Sequence, residues 1–216
     1  RSRQLAASRL DLAAMANTLD EGMPVVFHVH RASDIVTALE LAKQLKLRPV
    51  IQGGAEAWMV AKELARNNTP VILNSMANLP MSFEAIGARA DNAAILARAG
   101  VPVVLSVFDT HNARNLRQMA GNAVRAGMSP ESALAAVTIN PATAMGMQKT
   151  HGSLVAGKKA NLVVWSGDPF ELSTYVEHMY IGGHDVSRYN RQQALFERYR
   201  KLPRRDGPAK YDEIDM

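Results

Sequence analysis

Cysteine is absent from the 216 residues, which excludes disulfides and thiolate metal sites. That absence does not name a compartment. Aromatic residues make up only 6% of the chain, so core volume has to come from aliphatic side chains. No apolar run reaches the roughly 20 residues that a membrane-spanning helix needs, and no membrane partner is expected. Neither G-x-G-x-x-G nor a Walker-type loop occurs, which disfavours a nucleotide-binding sheet. An initiator methionine is also missing. The chain opens at Arg1, so the expectation is a piece processed or cut from something longer, any leader being lost with the missing part. The compartment, periplasmic or cytoplasmic, stays open.

What is present is globular in character, with 47% hydrophobic and 21% charged residues. The net charge of +5 is not evenly spread, because Arg188, Arg191, Arg198, Arg200, Lys201, Arg204, Arg205 and Lys210 crowd the C-terminal tail. No stacking motif accompanies them, so a solvated tail helix is expected rather than a nucleic-acid surface.

Hydrophobic periodicity divides the chain into strand–helix units. An amphipathic helix is predicted from Ser2 to Leu19, stopped by Gly22. Strands are predicted for the stretch from Pro24 that carries His28 and His30, and at Arg48–Gln52, Pro70–Leu73 and Val101–Val107, with helices at Asp34–Leu45, Glu56–Arg66, Ala88–Ala99 and Asn112–Ala126. Such alternation implies a parallel sheet with right-handed crossovers. Ser129 with Pro130 opens a further helix, and Asn140-Pro141 a shorter one ending at Gly146. The pattern then becomes β, with Gly152–Leu154, Ala160–Trp165 and Tyr175–Ile181 as strands and Gly182-Gly183 as a hairpin turn. A basic helix follows from Tyr189, then a tail holding Pro203, Gly207 and Pro208.

Chemistry concentrates at Pro24–Asp34. Val25, Val26, Phe27 and Val29 are β-formers. Alternation puts His28 and His30 on one side of the strand, at the end where loops of parallel α/β folds gather function. Two such imidazoles could bind a metal, or could be loop histidines bonded to backbone. Ser33 or Asp34 is placed to cap the next helix. Gly53-Gly54 is a strand-to-loop turn open to close backbone approach.

The run Thr138-Ile139-Asn140-Pro141-Ala142-Thr143-Ala144-Met145-Gly146 precedes Gly152-Ser153-Leu154-Val155-Ala156-Gly157-Lys158-Lys159-Ala160-Asn161-Leu162-Val163-Val164-Trp165. Together, and with Glu56-Ala57-Trp58 and His111–Asn115, they resemble the C-terminal end of the amidohydrolase superfamily, in the imidazolonepropionase-like branch that includes prolidase-like peptidases. The resemblance runs from about Pro24 to Val186. It implies a (β/α)8 barrel with a β-sandwich subdomain, of which four units are strands five to eight. Residues 1–148 would be the half barrel, 149–187 the subdomain strands, and 188–216 the basic helix and tail.

The resemblance implies hydrolysis of a C–N bond in an amide, peptide or cyclic amide, by water activated on a divalent metal, zinc first. His28 would be the fifth-strand metal ligand and Asp109 the proton-shuttling carboxylate. His30, His111 and Arg114 would face the substrate, Arg114 pairing with a carboxylate. Other ligands would lie on an N-terminal half barrel, the expected partner, and open sheet edges predict a stable partner or self-association. Two positions depart from the family pattern. Gly53 stands where a sixth-strand histidine belongs, and Phe108 stands where the eighth-strand aspartate belongs, with Asp109 one residue later. A non-catalytic barrel half kept for binding or assembly is the alternative; a third reading uses Asp109 and His30 as acid and base with one metal or none.

Overall fold

Short apolar strands that are covered on both faces define the centre of this computed structural model, which describes residues 8–77, 79–186, 189 and 191–200. Strands β1 (Pro24–Val29), β2 (Arg48–Gly53), β3 (Val71–Leu73) and β4 (Val103–Leu105) form a parallel sheet in the order β1-β2-β3-β4. The register sets Phe27 beside Ile51, Ile51 beside Val71 and Val71 beside Val103, one row on the helix side. His28 pairs with Gln52, Gln52 with Ile72 and Ile72 with Val104, which is the row on the opposite side.

The crossovers are helices α2 (Ala32–Gln44), α3 (Ala61–Arg66) and α4 (Asn92–Arg98), with α5 (Leu116–Arg125) and α6 (Pro130–Val137) after the last strand. Their inward residues pack with the strands into one large cluster that includes Ile35, Ile51, Leu64, Val71, Leu96 and Val103. Each such fully buried side chain contributes about 2 kcal/mol by area removed from water. A smaller cluster of Val50, Ile72, Val104 and Ala144 lies on the other face. Ala144 belongs to α7 (Ile139–Ala144), which covers the end where the strands begin. There the Arg48 guanidinium donates to the carbonyls of Thr143 and Ala144, and the Asn140 amide donates to the carbonyl of Val103. The opposite end of the sheet is left for loops.

Helix α1 (Arg9–Asp20) begins in a capping box between Ser8 and Asp11. Residues 2–7 of the expected helix lie outside the described residues. Its apolar residues Leu10, Met15 and Leu19 stay exposed. The helix at Glu56–Arg66 splits into a 3-10 turn at Ala57–Val60 and α3, and the helix from Asn112 starts as a 3-10 turn at Thr110–Asn115.

Neither Ser33 nor Asp34 caps α2. Arg31 is the N-cap residue, and the Ala32 N–H donates to Glu56 Oε2 at 2.9 Å. The cap thus comes from the loop after β2, whose own Glu56 N–H donates to the His30 carbonyl. Gly87 lets Glu56 lie there, since a Cβ at 87 would fall 2.5 Å from Glu56 Cγ. Glu56→Ala should lower stability by about 1 kcal/mol in urea denaturation, the usual value of a lost cap, while Ser33→Ala should change it by less than about 0.5 kcal/mol.

The β-rich segment forms an antiparallel sheet of β5 (Leu162–Trp165), β6 (Val176–Ile181) and β7 (His184–Asp185). Gly182 and Gly183 make the hairpin turn at positive φ. Gly152–Leu154 is a bend in irregular chain, not a strand, because Gly152 is held at φ +89° against α7. The sheet is tied to α5 by Arg117, which donates to the Thr174 carbonyl and stacks 5.1 Å from the Trp165 ring centre. The basic helix is present as α8 (Arg191–Tyr199), and the tail with Pro203, Gly207 and Pro208 lies outside the described residues.

Candidate functional site

The loops at the C-terminal ends of the four strands surround a cavity of about 260 Å³, lined among others by His28, His30, Gly53, Asn74, Asn92 and Phe108. His28 lies on β1 and His30 just past its end, not within the strand as expected, with ring centres 5.3 Å apart and planes inclined by 59°. Strand alternation places them on one face, and β1 being at the sheet edge leaves His28 exposed.

Gly53 determines where the His30 ring can sit. It ends β2 at φ +98°, a conformation that L side chains rarely adopt, and its N-terminal neighbour strand is β1. A Cβ there would lie 2.9 Å from His30 Cε1 and 3.0 Å from Nε2. The imidazole of His30 therefore covers the space a side chain at 53 would need. The next residue secures the turn, with the Gly54 N–H donating to the Val29 carbonyl at 2.7 Å. Burial, followed by the charge of neighbouring His28, holds His30 below the usual histidine pKa, while Glu84 opposes both. Its buried Nδ1 atom has no hydrogen-bond partner among the described residues.

At the end of β4 the chain turns at Phe108, whose φ of +57° is unusual for a bulky residue. Phe108 lines the cavity, and its N–H donates to Ser106 Oγ. Asp109 follows on the exposed turn, its carboxylate 3.3 Å from His111 Nδ1 and accepting from the Asn112 amide at 3.4 Å. Arg114 donates to the His111 carbonyl from the same turn. The structure thus brings His28 and His30 together at the cavity and groups Asp109, His111 and Arg114 separately. An adjoining hollow of about 190 Å³ shares Asn74 with the first and is lined by Asn112 and Asn115 from that turn.

Among the described residues, no three His, Cys, Asp or Glu side chains converge closely enough to hold a metal ion. His28 and His30 supply two nitrogen donors, half of a four-coordinate set, and the unpartnered Nδ1 of His30 agrees with a ring that has a bond still to make. The fit to a metal is partial, and completing it takes ligands from beyond the described residues.

Sequence reasoning missed Arg89 and Asn92 in the lining of the cavity. Trp58 donates its indole N–H to the Gly87 carbonyl, and Arg89, paired with Asp91, lies 4.6 Å from the Trp58 ring centre. Asn92, nine-tenths buried, donates to the Gly54 carbonyl at 2.9 Å. Only the polar Asp91-Asn92 step before an apolar helix could have flagged this part of the lining, and that step reads equally well as a helix start.

The amidohydrolase family model matches residues 7–190. An imidazolonepropionase of Pseudomonas fluorescens is 52% identical over 50 residues, covering 23% of this chain and 12% of that protein. A solved amidohydrolase of Thermotoga maritima superposes with a TM-score of 0.78 at 31% identity, over 88% of this chain and 50% of that one. A zinc-bound adenosine deaminase of Xanthomonas campestris shares the fold, with a TM-score of 0.55 at 18% identity over 88% of this chain and 52% of that one. The chain spans about half the length of these solved relatives. It is a member of the amidohydrolase family, in its imidazolonepropionase-like branch.

Proposed function

We propose that this chain is the strand-five-to-eight half of a (β/α)8 barrel hydrolase that cleaves a C–N bond in a small amide, cyclic amide or peptide. The observation that carries the proposal is the pair His28 and His30, 5.3 Å apart over Gly53 at the strand-end mouth of the cavity. In barrels of this type chemistry sits at that end, and the opposite end serves stability. Here α7 covers the opposite end.

A missing half fits the uncovered surfaces. Val26 on β1 is 43% exposed, whereas its register partner Val50 is fully buried. Strands β1 and β4 are the edges of the described sheet, and the apolar residues of α1 lack cover. The remaining staves come from the rest of the protein or from a separate chain, and association is expected either way.

His28 would hold a divalent ion, zinc by preference, with His30 beside it and other ligands from the missing half. The chemistry such an ion supplies is activation of water near neutral pH and polarisation of the scissile carbonyl. This chain's residues then do the rest. His30 stays neutral to a lower pH than an ordinary histidine, so it can accept or donate a hydrogen bond at the cavity floor. Asp109, paired with His111 on the turn beside the cavity rather than in its lining, would carry the proton to the leaving nitrogen, and Arg114 on the same turn would meet a substrate carboxylate that reaches out of the cavity. Phe108 and Leu73 give the cavity part of its apolar lining.

The test uses the natively isolated protein with its other half, supplied with zinc or manganese and a panel of lactams, secondary amides and dipeptides. Turnover that chelation stops and metal restores is expected. No turnover of any member by the complete, metal-loaded barrel would overturn the proposal.

A further inference from the structure

The hollow of about 190 Å³ beside the cavity is lined by four carboxamide residues, Asn74, Asn112, Asn115 and Gln118, and otherwise by Val107 and two methionines. No ionisable residue is among its described lining. Asn112, Asn115, Gln118 and Met119 lie on one continuous helical stretch, the 3-10 turn Thr110–Asn115 running into α5. Steps of three and four residues stack side chains on one face, so that face of the helix looks into the hollow. Asn122, one turn further on, donates from Nδ2 to the Met76 sulfur at 2.9 Å, and Met76 lines the hollow from the loop after β3. Two of the amides have a fixed sense. Asn74 Oδ1 accepts from the Met76 N–H at 2.8 Å, which leaves Nδ2 to donate. Asn112 Nδ2 faces Asp109 Oδ2 at 3.4 Å and His111 Nε2 at 3.2 Å, which leaves Oδ1 to accept. The side chains of Asn115 and Gln118 have no hydrogen-bond partner among the described residues. None of the four residues is buried, and the unpartnered amide atoms of Asn74, Asn112 and Asn115 are open to water.

We propose that this hollow is a subsite for an uncharged peptide group next to the one that is cleaved, so that the substrate is a linear peptide and not a lone cyclic amide. This rests on the hydrolase reading above and narrows its substrate class. A peptide group carries one donor and one acceptor. The hollow meets them with a donor at Asn74, an acceptor at Asn112, and amides at Asn115 and Gln118 that can turn either way. An apolar group there would take these amides out of water without a partner, which is costly. A carboxylate would find no cation in the lining and would have the Asp109 carboxylate behind Asn112. Position agrees with chemistry. The hollow shares Asn74 with the cavity of His28 and His30, and Asn112 and Asn115 with the turn that carries Arg114. A peptide cleaved in the cavity thus lays its next peptide group in the hollow and its terminal carboxylate toward Arg114.

The probes are alanine peptides in which a ketomethylene unit replaces the first peptide bond, so that nothing is cleaved. They are the dipeptide, the tripeptide, and a tripeptide whose second peptide N–H is replaced by an ester oxygen. Binding to the natively isolated protein is read by ligand-observed NMR. The tripeptide should bind at least about tenfold more tightly than either of the others, because a site built to hydrogen-bond an N–H rejects the analogue that lacks it. In the double variant Asn115→Leu with Gln118→Leu that advantage should fall below about threefold. Should the variant fail to fold, the wild-type series decides alone. A wild-type advantage below about threefold, an undiminished advantage in the folded double variant, or no binding of any probe overturns the subsite. Turnover and chelation judge metal-dependent hydrolysis separately. A tripeptide preference without turnover counts against the hydrolase alone, and turnover without that preference counts against the subsite alone.

Discussion

Gly152→Ala should lower the unfolding free energy by about 3 kcal/mol, the largest expected loss from one methyl group in this chain. The residue sits at φ +89°, and its Cβ would come 2.8 Å from Ala142 Cβ, 2.9 Å from Ile139 Cα and 3.0 Å from the Thr138 carbonyl oxygen. Two of these are backbone atoms of the α7 segment and cannot swing away. Left-handed backbone costs an L-residue about 1–2 kcal/mol, and overpacking adds about 1–3 kcal/mol. Gly157 provides the control, at φ +88° with nothing within 4 Å. Its alanine variant should show the backbone cost alone, about 1–2 kcal/mol. Urea denaturation of both variants separates the terms. Equal losses would mean that contact with α7 contributes nothing. Against the roughly 5–15 kcal/mol that stabilises a domain, the expected difference is large.

The second large effect concerns function and spares stability. His28→Ala should cut turnover at least about 100-fold and release the metal, given that even the outer partners of metal ligands cost 10–100-fold when lost. With both proteins stripped of metal, stability should change by less than about 0.5 kcal/mol, because His28 is exposed on an open face. Turnover, metal content and thermal unfolding measured on one preparation test all three statements. A variant that keeps metal and activity would remove His28 from the proposed role.

These two residues mark what could and could not be read from the sequence. The parallel sheet was legible because each strand is a short apolar run closed by a polar or glycine-rich turn, as at Gln52-Gly53-Gly54. His28 and His30 were legible as a same-face pair because strand period is two. Strand Val101–Val107 came out as Val103–Leu105, since ladder bonds, not apolarity, set where a strand ends. Gly152–Leu154 looked like a strand by composition, yet its glycine answers to Ile139 and Ala142, which lie earlier in the chain. The cap of α2 by Glu56 spans 24 residues, beyond any local pattern. Asn92 was invisible for the same reason, its partner Gly54 being 38 residues away. Gly53 was noticed as a gap in a ligand pattern; that the His30 ring fills the gap follows only from the strands being side by side.

Metal content of the natively isolated protein, together with its intact mass, tests the proposed half barrel most directly. One or two divalent ions per assembled barrel, in a complex that includes the other four strands and loses its metal on His28→Ala, is the expected result. A stable, metal-free single chain with no partner and no second copy would contradict it.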